Sequence, residues 1–165
     1  MTLLPAVESP ATDLLRREHR EMERLLANFE NELRTSQGAG LLPLARTFAE
    51  IQEHLAAHFR KEEEVFYPAL APLLAATDLE ISKLTGDHSD VRETSAGFRE
   101  LLDQAGGSNA PAISLRADLT TIGWHLWNLI HHHIATEENG LLAFADRQLS
   151  WETQNQLARQ MGPDN

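Results

Sequence analysis

The sequence predicts an all-α fold, specifically an antiparallel up-down-up-down four-helix bundle followed by a short C-terminal helix. Apolar residues recur at three- and four-residue intervals through four long segments, as they do along the buried face of an amphipathic helix. No segment alternates apolar and polar residues with a period of two over a useful length, so strands are not expected. Long amphipathic helices joined by short turns typically pack as such a bundle.

Proline signals bound the first two predicted helices. Ser9 followed by Pro10 is typical of an N-cap and first helical position, and the periodic pattern continues to about Thr35. After a glycine-containing turn, the second helix continues until Pro68 and Pro72 kink or end it. The predicted buried faces contain Leu15, His19, Met22, Leu26, Phe29 and Leu33 in the first helix, and Leu44, Phe48, Ile51, Leu55, His58, Glu62, Val65 and Phe66 in the second.

Two more long helices and one short helix complete the predicted fold. The tetrapeptide Thr-Asp-Leu-Glu at 77–80 is typical of a capping box and predicts the start of the third helix. Segment 106–111 is expected to end this helix. The last helix is expected to begin at Ser150 and to stop at Gly162. The predicted buried faces contain Ile81, Leu84, His88, Val91, Ser95, Phe98 and Leu102 in the third helix, and Leu119, Ile122, Leu126, Ile130, His133, Glu137, Leu141 and Phe144 in the fourth.

Length, composition and charge restrict the domain organisation and the partners. The 165 residues are expected to form one domain (1–165), with a core bundle over about 10–149 and the short helix over about 151–161. The formal net charge of −11 disfavours nucleic acids and anionic membranes as partners. The absence of cysteine excludes disulfides, thiolate zinc sites and iron–sulfur clusters. With no signal peptide and no apolar run of about 18 residues, the sequence predicts a soluble cytoplasmic protein.

A lone histidine, followed by a histidine–glutamate pair with four-residue spacing, occurs twice along the predicted buried faces. Residues four apart project from one side of a helix about one turn from each other, so the paired imidazole and carboxylate can reach one metal centre. The arrangement of these residues therefore indicates a loose internal duplication of the chain. The six residues are His19, His58 and Glu62, then His88, His133 and Glu137.

These six groups are costly to bury unless they share cations. An unpaired buried imidazole costs roughly 1–3 kcal/mol, and an unpaired carboxylate costs more. Four imidazoles and two carboxylates exceed a tetrahedral zinc site and fit poorly around one octahedral ion, so we expect two metal ions with bridging glutamates and a bridging oxide or hydroxide. Ligands of this type without thiolate suit iron or manganese, with zinc as a substitute. A di-iron centre with an open coordination position would bind dioxygen, nitric oxide or peroxide.

The six residues resemble the pattern H…HxxxE…H…HxxxE of the hemerythrin-like, or HHE cation-binding, family. The resemblance covers residues 19–137, with flanking helix to about residue 149. It implies a non-haem di-iron site with carboxylate bridges on a four-helix bundle. It also implies reversible oxygen binding, as in respiratory members, or sensing and peroxide-related roles, as in bacterial ones. The ligands implied by the resemblance are His19, His58, Glu62, His88, His133 and Glu137.

The sequence departs from respiratory hemerythrins in the third and fourth helices. Those proteins have a second histidine on the third helix, in HxxxH, and end in HxxxxD. Here the residues four positions either side of His88 are leucine and arginine, and the last carboxylate is Glu137. We prefer His133 as its partner because His132 lies about 100° to one side of the helix. With fewer histidines, a reactive or sensory centre is expected rather than a reversible oxygen carrier.

Several other residues near the predicted site have alternative roles. His54 is expected to be either an extra ligand or a hydrogen-bond donor that supports one. Tyr67 is expected to supply a phenolate, to hydrogen-bond bound oxygen, or to pack in the core. Glu63 and Glu64 are expected to face solvent. Trp124 falls on the helix side opposite the ligands, so it is expected to meet the C-terminal helix or a second copy in a homodimer.

Three functions remain open. The favoured one is a di-iron protein that binds a diatomic gas or peroxide for sensing, scavenging or detoxification. The others are an enzyme with oxidase or catalase-like turnover at the same metals, and a metal-storage or metal-sensing module without gas chemistry. Ferritin-like proteins are disfavoured because no Glu-x-x-His pair occurs, and zincin peptidases because HExxH is absent.

Overall fold

The structure, a computed structural model, describes residues 10–35, 40–75, 77, 79–106 and 112–162. Within these ranges the chain is helical and contains no strand, which confirms the all-α class. Two π-helical turns, named here π1 (Glu62–Phe66) and π2 (Glu138–Leu142), extend two of the helices. The α-helices are α1 (Ala11–Thr35), α2 (Leu42–Lys61), α3 (Tyr67–Leu70), α4 (Ile81–Ala105), α5 (Ile113–Glu137), α6 (Ala143–Gln148) and α7 (Trp151–Met161).

The four long helices contact one another in a closed order. Helix α1 packs on α2 and α5, while α4 packs on α5 and on α2. None of the described helices combines the length and hydrophobicity needed to cross a lipid bilayer. The predicted faces point into this arrangement, since their members are buried except for four half-buried residues, Val65, Ile81, Leu102 and Ile122.

The apolar core consists of two clusters separated by a polar layer. On α1, Leu15 belongs to one cluster and Met22 to the other, and the histidine of that helix lies between them. On α4, Leu84 and Val91 flank the equivalent histidine in the same way. The predicted ligand residues therefore occupy one level of the bundle, with apolar side chains sealing the layer from both sides.

Pro68 does not end the second predicted helix. A proline ring collides with the carbonyl group four residues earlier in a regular helix. Here the backbone widens into π1 just before this proline, and the Tyr67 N–H donates to the Glu62 carbonyl oxygen, five residues earlier. The helical path then continues through α3 and finishes in a 3₁₀ turn, Ala71–Leu73, that contains Pro72.

The predicted capping box at 77–80 is wrong. Helix α4 begins at Ile81, and its N-cap residue Glu80 has an extended backbone without a side-chain capping bond. The Thr77 hydroxyl instead accepts a hydrogen bond from the Leu79 N–H at 3.2 Å. A local turn therefore uses the threonine that the pattern assigned to the helix. The N-cap predicted at Ser9 lies outside the described residues.

Helix α7 is held against α1 by polar contacts. It begins at Trp151, one residue after the predicted start, and its N-cap is Ser150, because the Ser150 hydroxyl accepts a hydrogen bond from the Thr153 N–H at 3.2 Å. The Thr12 hydroxyl on α1 lies 2.9 Å from Gln154 Oε1 and 2.6 Å from Asp146 Oδ1. Helix α7 also contacts π1, so it covers the end of the bundle at which α1 begins.

Trp124 packs against α1 and not, within the described residues, against the C-terminal helix. Its ring is half-buried against α1, with the Arg34 guanidinium carbon 4.9 Å from the ring centroid. Trp127 packs against its edge at a centroid distance of 6.0 Å. This intramolecular cation–π contact stabilises the ring on α1, and the contact with a second copy stays a prediction.

Two helical glycines test the packing of the core. A Cβ at Gly123 would lie 2.5 Å from Leu33 Cδ2 and 3.2 Å from Phe98 Cε2, whereas a Cβ at Gly97 meets nothing within 4 Å. Replacing a helical glycine by alanine gains about 1 kcal/mol where space permits. We expect Gly97→Ala to raise the free energy of unfolding by about that amount, measured by urea denaturation. Gly123→Ala should lower it by about 1–3 kcal/mol through overpacking, and equal shifts would contradict the close helix contact.

Candidate metal centre

The six predicted ligand side chains meet in the polar layer between the two apolar clusters. Each is at most 4% exposed, although they come from four long helices and π1. Their donor atoms form two groups, each with its atoms within 4.8 Å of one another. The first position is lined by His19, His58, Glu62 and Glu137, and the second position by Glu62, His88 and His133.

The imidazoles face one another in two pairs. His19 Nε2 lies 3.1 Å from His58 Nε2, and His88 Nε2 lies 3.1 Å from His133 Nε2. His19 lies 16 residues before Thr35, and His58 lies 17 residues after Leu41. These spacings predict about the same depth for the two histidines on antiparallel neighbours, and the 3.1 Å contact agrees. The two pairs also follow the loose duplication, because each joins a lone histidine to the histidine of the next pair.

Each imidazole turns its other nitrogen, Nδ1, towards a carboxylate from a neighbouring helix or π turn. A carboxylate accepts a hydrogen bond from Nδ1–H, which leaves Nε2 free to bind a metal and fixes the ring orientation. We call these four acids the outer carboxylates. The contacts are Glu18 to His58 at 2.8 Å, Glu63 to His88 at 2.7 Å, Glu138 to His19 at 3.0 Å and Asp87 to His133 at 3.4 Å.

The outer carboxylates connect the helices in a ring. The acid on α1 contacts the histidine on α2, and the acid on π1 contacts the histidine on α4. The acid on α4 contacts the histidine on α5, and the acid on π2 contacts the histidine on α1, which closes the ring. Each acid is the sequence neighbour of a ligand residue, and the pattern (E/D)H…HxxxEE occurs twice. Sequence reasoning missed this repeated signal. In particular, Glu63 is half-buried against His88, so the prediction that it faces solvent is wrong.

The spacing of the facing nitrogens fits a shared metal ion. Two Nε2 lone pairs 3.1 Å apart repel each other unless a proton or a metal lies between them. Two metal–nitrogen bonds of about 2.1 Å to one ion span this distance at an angle of about 95°. That angle is close to the right angle between neighbouring ligands of an octahedral ion, so each imidazole pair is suited to one cation.

The two ligand glutamates are placed to join the positions. Glu62 Oε1 lies 2.8 Å from His58 Nε2 in the first position, and Glu62 Oε2 lies 3.1 Å from His88 Nε2 in the second. Glu62 Oε1 and both carboxylate oxygens of Glu137 make no well-formed hydrogen bond within the described part of the chain. Unsatisfied, fully buried carboxylate oxygens are costly, and coordinated cations would satisfy them.

The electrostatics of the layer also call for positive charge. Burial opposes protonation of His58, but the charge of Glu62 and the hydrogen bond to Glu18 outweigh it and raise the His58 pKa to about 10. Burial and the neighbouring charge of Glu62 raise the pKa of Glu137 to about 7. Protons therefore neutralise part of the acidic layer in the absence of metal. Metal ions that bind there are expected to displace them.

Tyr67 belongs to the second position. Its hydroxyl donates to Glu62 Oε2 at 3.2 Å and lies 3.4 Å from His88 Nε2, and the residue is 2% exposed. Burial and the charges of Glu62 and Glu137 raise the pKa of Tyr67, so the phenol stays neutral. The geometry therefore gives Tyr67 a hydrogen bond to a ligand carboxylate.

His54 does not reach either position. Its Nε2 lies 3.0 Å from the backbone carbonyl oxygen of Glu18, the residue whose side chain holds His58. The extra-ligand role is wrong, and the supporting role fits the geometry. His132 is exposed, and its Nε2 atom lies 3.5 Å from Thr136 Oγ1. Of the two adjacent histidines, His133 is therefore the one that enters the polar layer.

Both ligand glutamates adjoin π-helical turns. Glu62 opens π1, and Glu137 immediately precedes π2. A π turn inserts an extra residue into a helix and is frequent at functional sites. In this protein the turns re-aim the residues that follow each glutamate, so that Glu63 and Glu138 reach histidines on neighbouring helices. Periodicity alone does not reveal such an insertion.

Two histidines one turn apart on α2 provide a matched test of the site. We expect His58→Ala to reduce bound metal to below two ions per chain, because His58 Nε2 faces the first position. His54→Ala should keep the wild-type stoichiometry, because His54 Nε2 lies 3.0 Å from the Glu18 carbonyl oxygen and not at either position. Elemental analysis of both variants, with circular dichroism to check folding, measures the difference. Equal metal loss in the two variants would contradict the assignment.

A comparison with known protein families agrees with this geometry. A family model described as the hemerythrin HHE cation binding domain matches residues 11–145, a range that contains all six converging side chains. Among curated proteins, none matches the chain. Because the matched range covers most of the sequence, the chain belongs to the hemerythrin HHE cation-binding family.

Proposed function

We propose that the protein holds two iron ions, bridged by oxide or hydroxide, and binds dioxygen, nitric oxide or peroxide in a sensing, scavenging or detoxifying role. One observation carries the proposal: two facing imidazole pairs are spanned by a single carboxylate, that of Glu62, inside a sealed layer. A storage site for one exchangeable ion does not require this shared carboxylate between two donor sets.

The donor chemistry supports iron. Imidazole and carboxylate ligands without thiolate suit iron and manganese, and zinc can substitute. When bound, a pair of iron ions supplies one-electron redox steps and open coordination positions for small ligands. We assign the ligand role to all six converging residues, namely His19, His58, Glu62, His88, His133 and Glu137.

The chain's own residues set the conditions for this chemistry. The outer carboxylates fix each imidazole, so that the donor atoms are arranged before metal binds. The apolar clusters above and below exclude bulk water and strengthen electrostatic interactions in the layer. The Tyr67 hydroxyl holds a proton next to Glu62 Oε2, within reach of the second position.

Enzyme turnover is the second candidate, and the Tyr67 hydroxyl is the observation that favours it. A neutral phenol beside the second position can donate a proton to a reacting oxygen species. A binding protein needs no such group. An oxidase or catalase-like activity would therefore use the same ligands together with this residue.

The wider arrangement of the chain is part of the proposal. We infer that the four long helices run up-down-up-down and antiparallel, since short connections and a closed order of contacts favour that topology. We also propose a single domain that includes α7, because α7 packs on α1 and π1. A cytoplasmic location and a homodimer remain predictions, and analytical ultracentrifugation would test the latter.

The visible spectrum of protein purified without added metal tests the function. We expect two iron atoms per chain and a charge-transfer band of a bridged di-iron centre, because two donor sets share Glu62. Oxygen or nitric oxide should change this spectrum stoichiometrically after reduction. Peroxide consumed over many cycles would instead establish turnover.

The same experiment has a contradicting outcome. Labile metal without an oxygen-dependent band would favour storage or metal sensing and would refute the gas-binding role. The His54→Ala variant is the matched control. It should keep the wild-type spectrum, because His54 contacts the Glu18 carbonyl oxygen and lies at neither position.

A further inference from the structure

The two cation positions are not equivalent, although the sequence repeats itself. Four side chains line the first position, and three line the second, with Glu62 counted in both. The difference arises from Glu137, whose Oε2 lies 3.2 Å from His19 Nε2 but 4.0 Å from His133 Nε2. The first position therefore has two carboxylates close to it, and the second has only the shared one.

One outer carboxylate, that of Asp87, repeats this asymmetry. In the first position His58 and His19 are held at 2.8 and 3.0 Å, within or near the usual range of charge-assisted hydrogen bonds. In the second position Glu63 holds His88 at 2.7 Å, but the contact between His133 and Asp87 is 3.4 Å, well outside that range. Asp87 is also the only aspartate among the four, and its shorter side chain accounts for the longer contact.

Cations near the outer carboxylates add to the difference. The buried Lys61 ammonium contacts Glu18, so the carboxylate that holds His58 is itself held by a second buried group. In the second position Arg92 holds Glu63 at 3.0 Å, but this guanidinium is about half exposed and its pairing is correspondingly weaker. Among the four imidazoles, His133 therefore has the weakest contact with an outer carboxylate.

The shared carboxylate is itself divided unequally. Its Oε1 atom makes no well-formed hydrogen bond within the described residues, so its lone pairs are available to the first position. Its Oε2 atom, which faces the second position, already accepts a hydrogen bond from the Tyr67 hydroxyl at 3.2 Å. The residue equivalent to Tyr67 in the second half is Leu142, which cannot donate a comparable bond.

We propose that the first position binds its cation first and tightly, and that the second position, formed by Glu62, His88 and His133, binds second and exchanges with free divalent metal. The inference rests on the proposed dinuclear function and adds a regulation to it. The two-metal centre forms only when the free ion exceeds the dissociation constant of the second position. Gas or peroxide chemistry at the pair then depends on the supply of ferrous ion.

A titration of the metal-free full chain with Co²⁺ tests the order of binding. Calorimetry and visible absorption should show two steps, the first at least tenfold tighter, since a ligand-supporting carboxylate alone changes metal affinity by about 10–100-fold. His133→Ala should remove the weak step and keep the tight one. His58→Ala should remove the tight step, and circular dichroism should show that both variants remain folded.

Two milder variants keep the test decisive if an alanine variant fails to fold. Glu63→Gln, which removes the carboxylate that holds His88 at 2.7 Å, should weaken only the second step, and Glu18→Gln only the first, each by about tenfold or more. Asp90→Asn, an exposed change on α4, should leave both steps unchanged.

The outcomes separate this inference from the function on which it rests. Two equal steps, or loss of the tight step in His133→Ala, would overturn the unequal positions while leaving the two-metal centre intact. Binding of fewer than two Co²⁺ ions by the wild-type chain would overturn the proposed dinuclear function as well.

Discussion

The fold depends on a layer of imidazole and carboxylate groups that cannot be buried stably without shared positive charge. Facing Nε2 atoms lie 3.1 Å apart in two places, and carboxylate oxygens beside them lack well-formed hydrogen bonds within the described residues. Protons meet this demand in part, as the pKa of about 10 at His58 indicates. Metal ions would meet it more completely, because one cation satisfies several donors at once. The layer is therefore both the weakest part of a metal-free core and the strongest argument for metal binding.

The rest of the bundle serves to hold this layer in register. Apolar clusters lie on both sides of it, and the ring of outer carboxylates connects each long helix to the next through one imidazole. The π turns place Glu63 and Glu138 within reach of histidines on neighbouring helices. Each of the four imidazoles is thus held by an acid from a different helix or π turn, so a shift of any long helix would disturb two imidazoles together. That coupling favours a single geometry over a loose set of buried polar contacts.

Much of the architecture and the converging residues could be predicted from the sequence, because helical periodicity determines which side chains face inward. The buried faces and the common depth of His19 and His58 follow from spacing alone. Features that depend on contacts between helices could not be predicted in that way. The contact of Glu63 with His88 depends on the π1 turn. Trp124 packs under Arg34, which lies on another helix. The threonine of the predicted capping box closes a turn instead of capping α4. The unequal distances from Glu137 to His19 and His133 likewise could not be read from the repeated motif.

Anomalous X-ray diffraction at the iron edge, from crystals of the iron-loaded protein, would locate the metal ions. We expect two anomalous peaks per chain, one beside the Nε2 atoms of His19 and His58 and one beside those of His88 and His133, with the Glu62 carboxylate between them. A single peak, or peaks at the protein surface with the imidazole pairs left bare, would contradict this expectation.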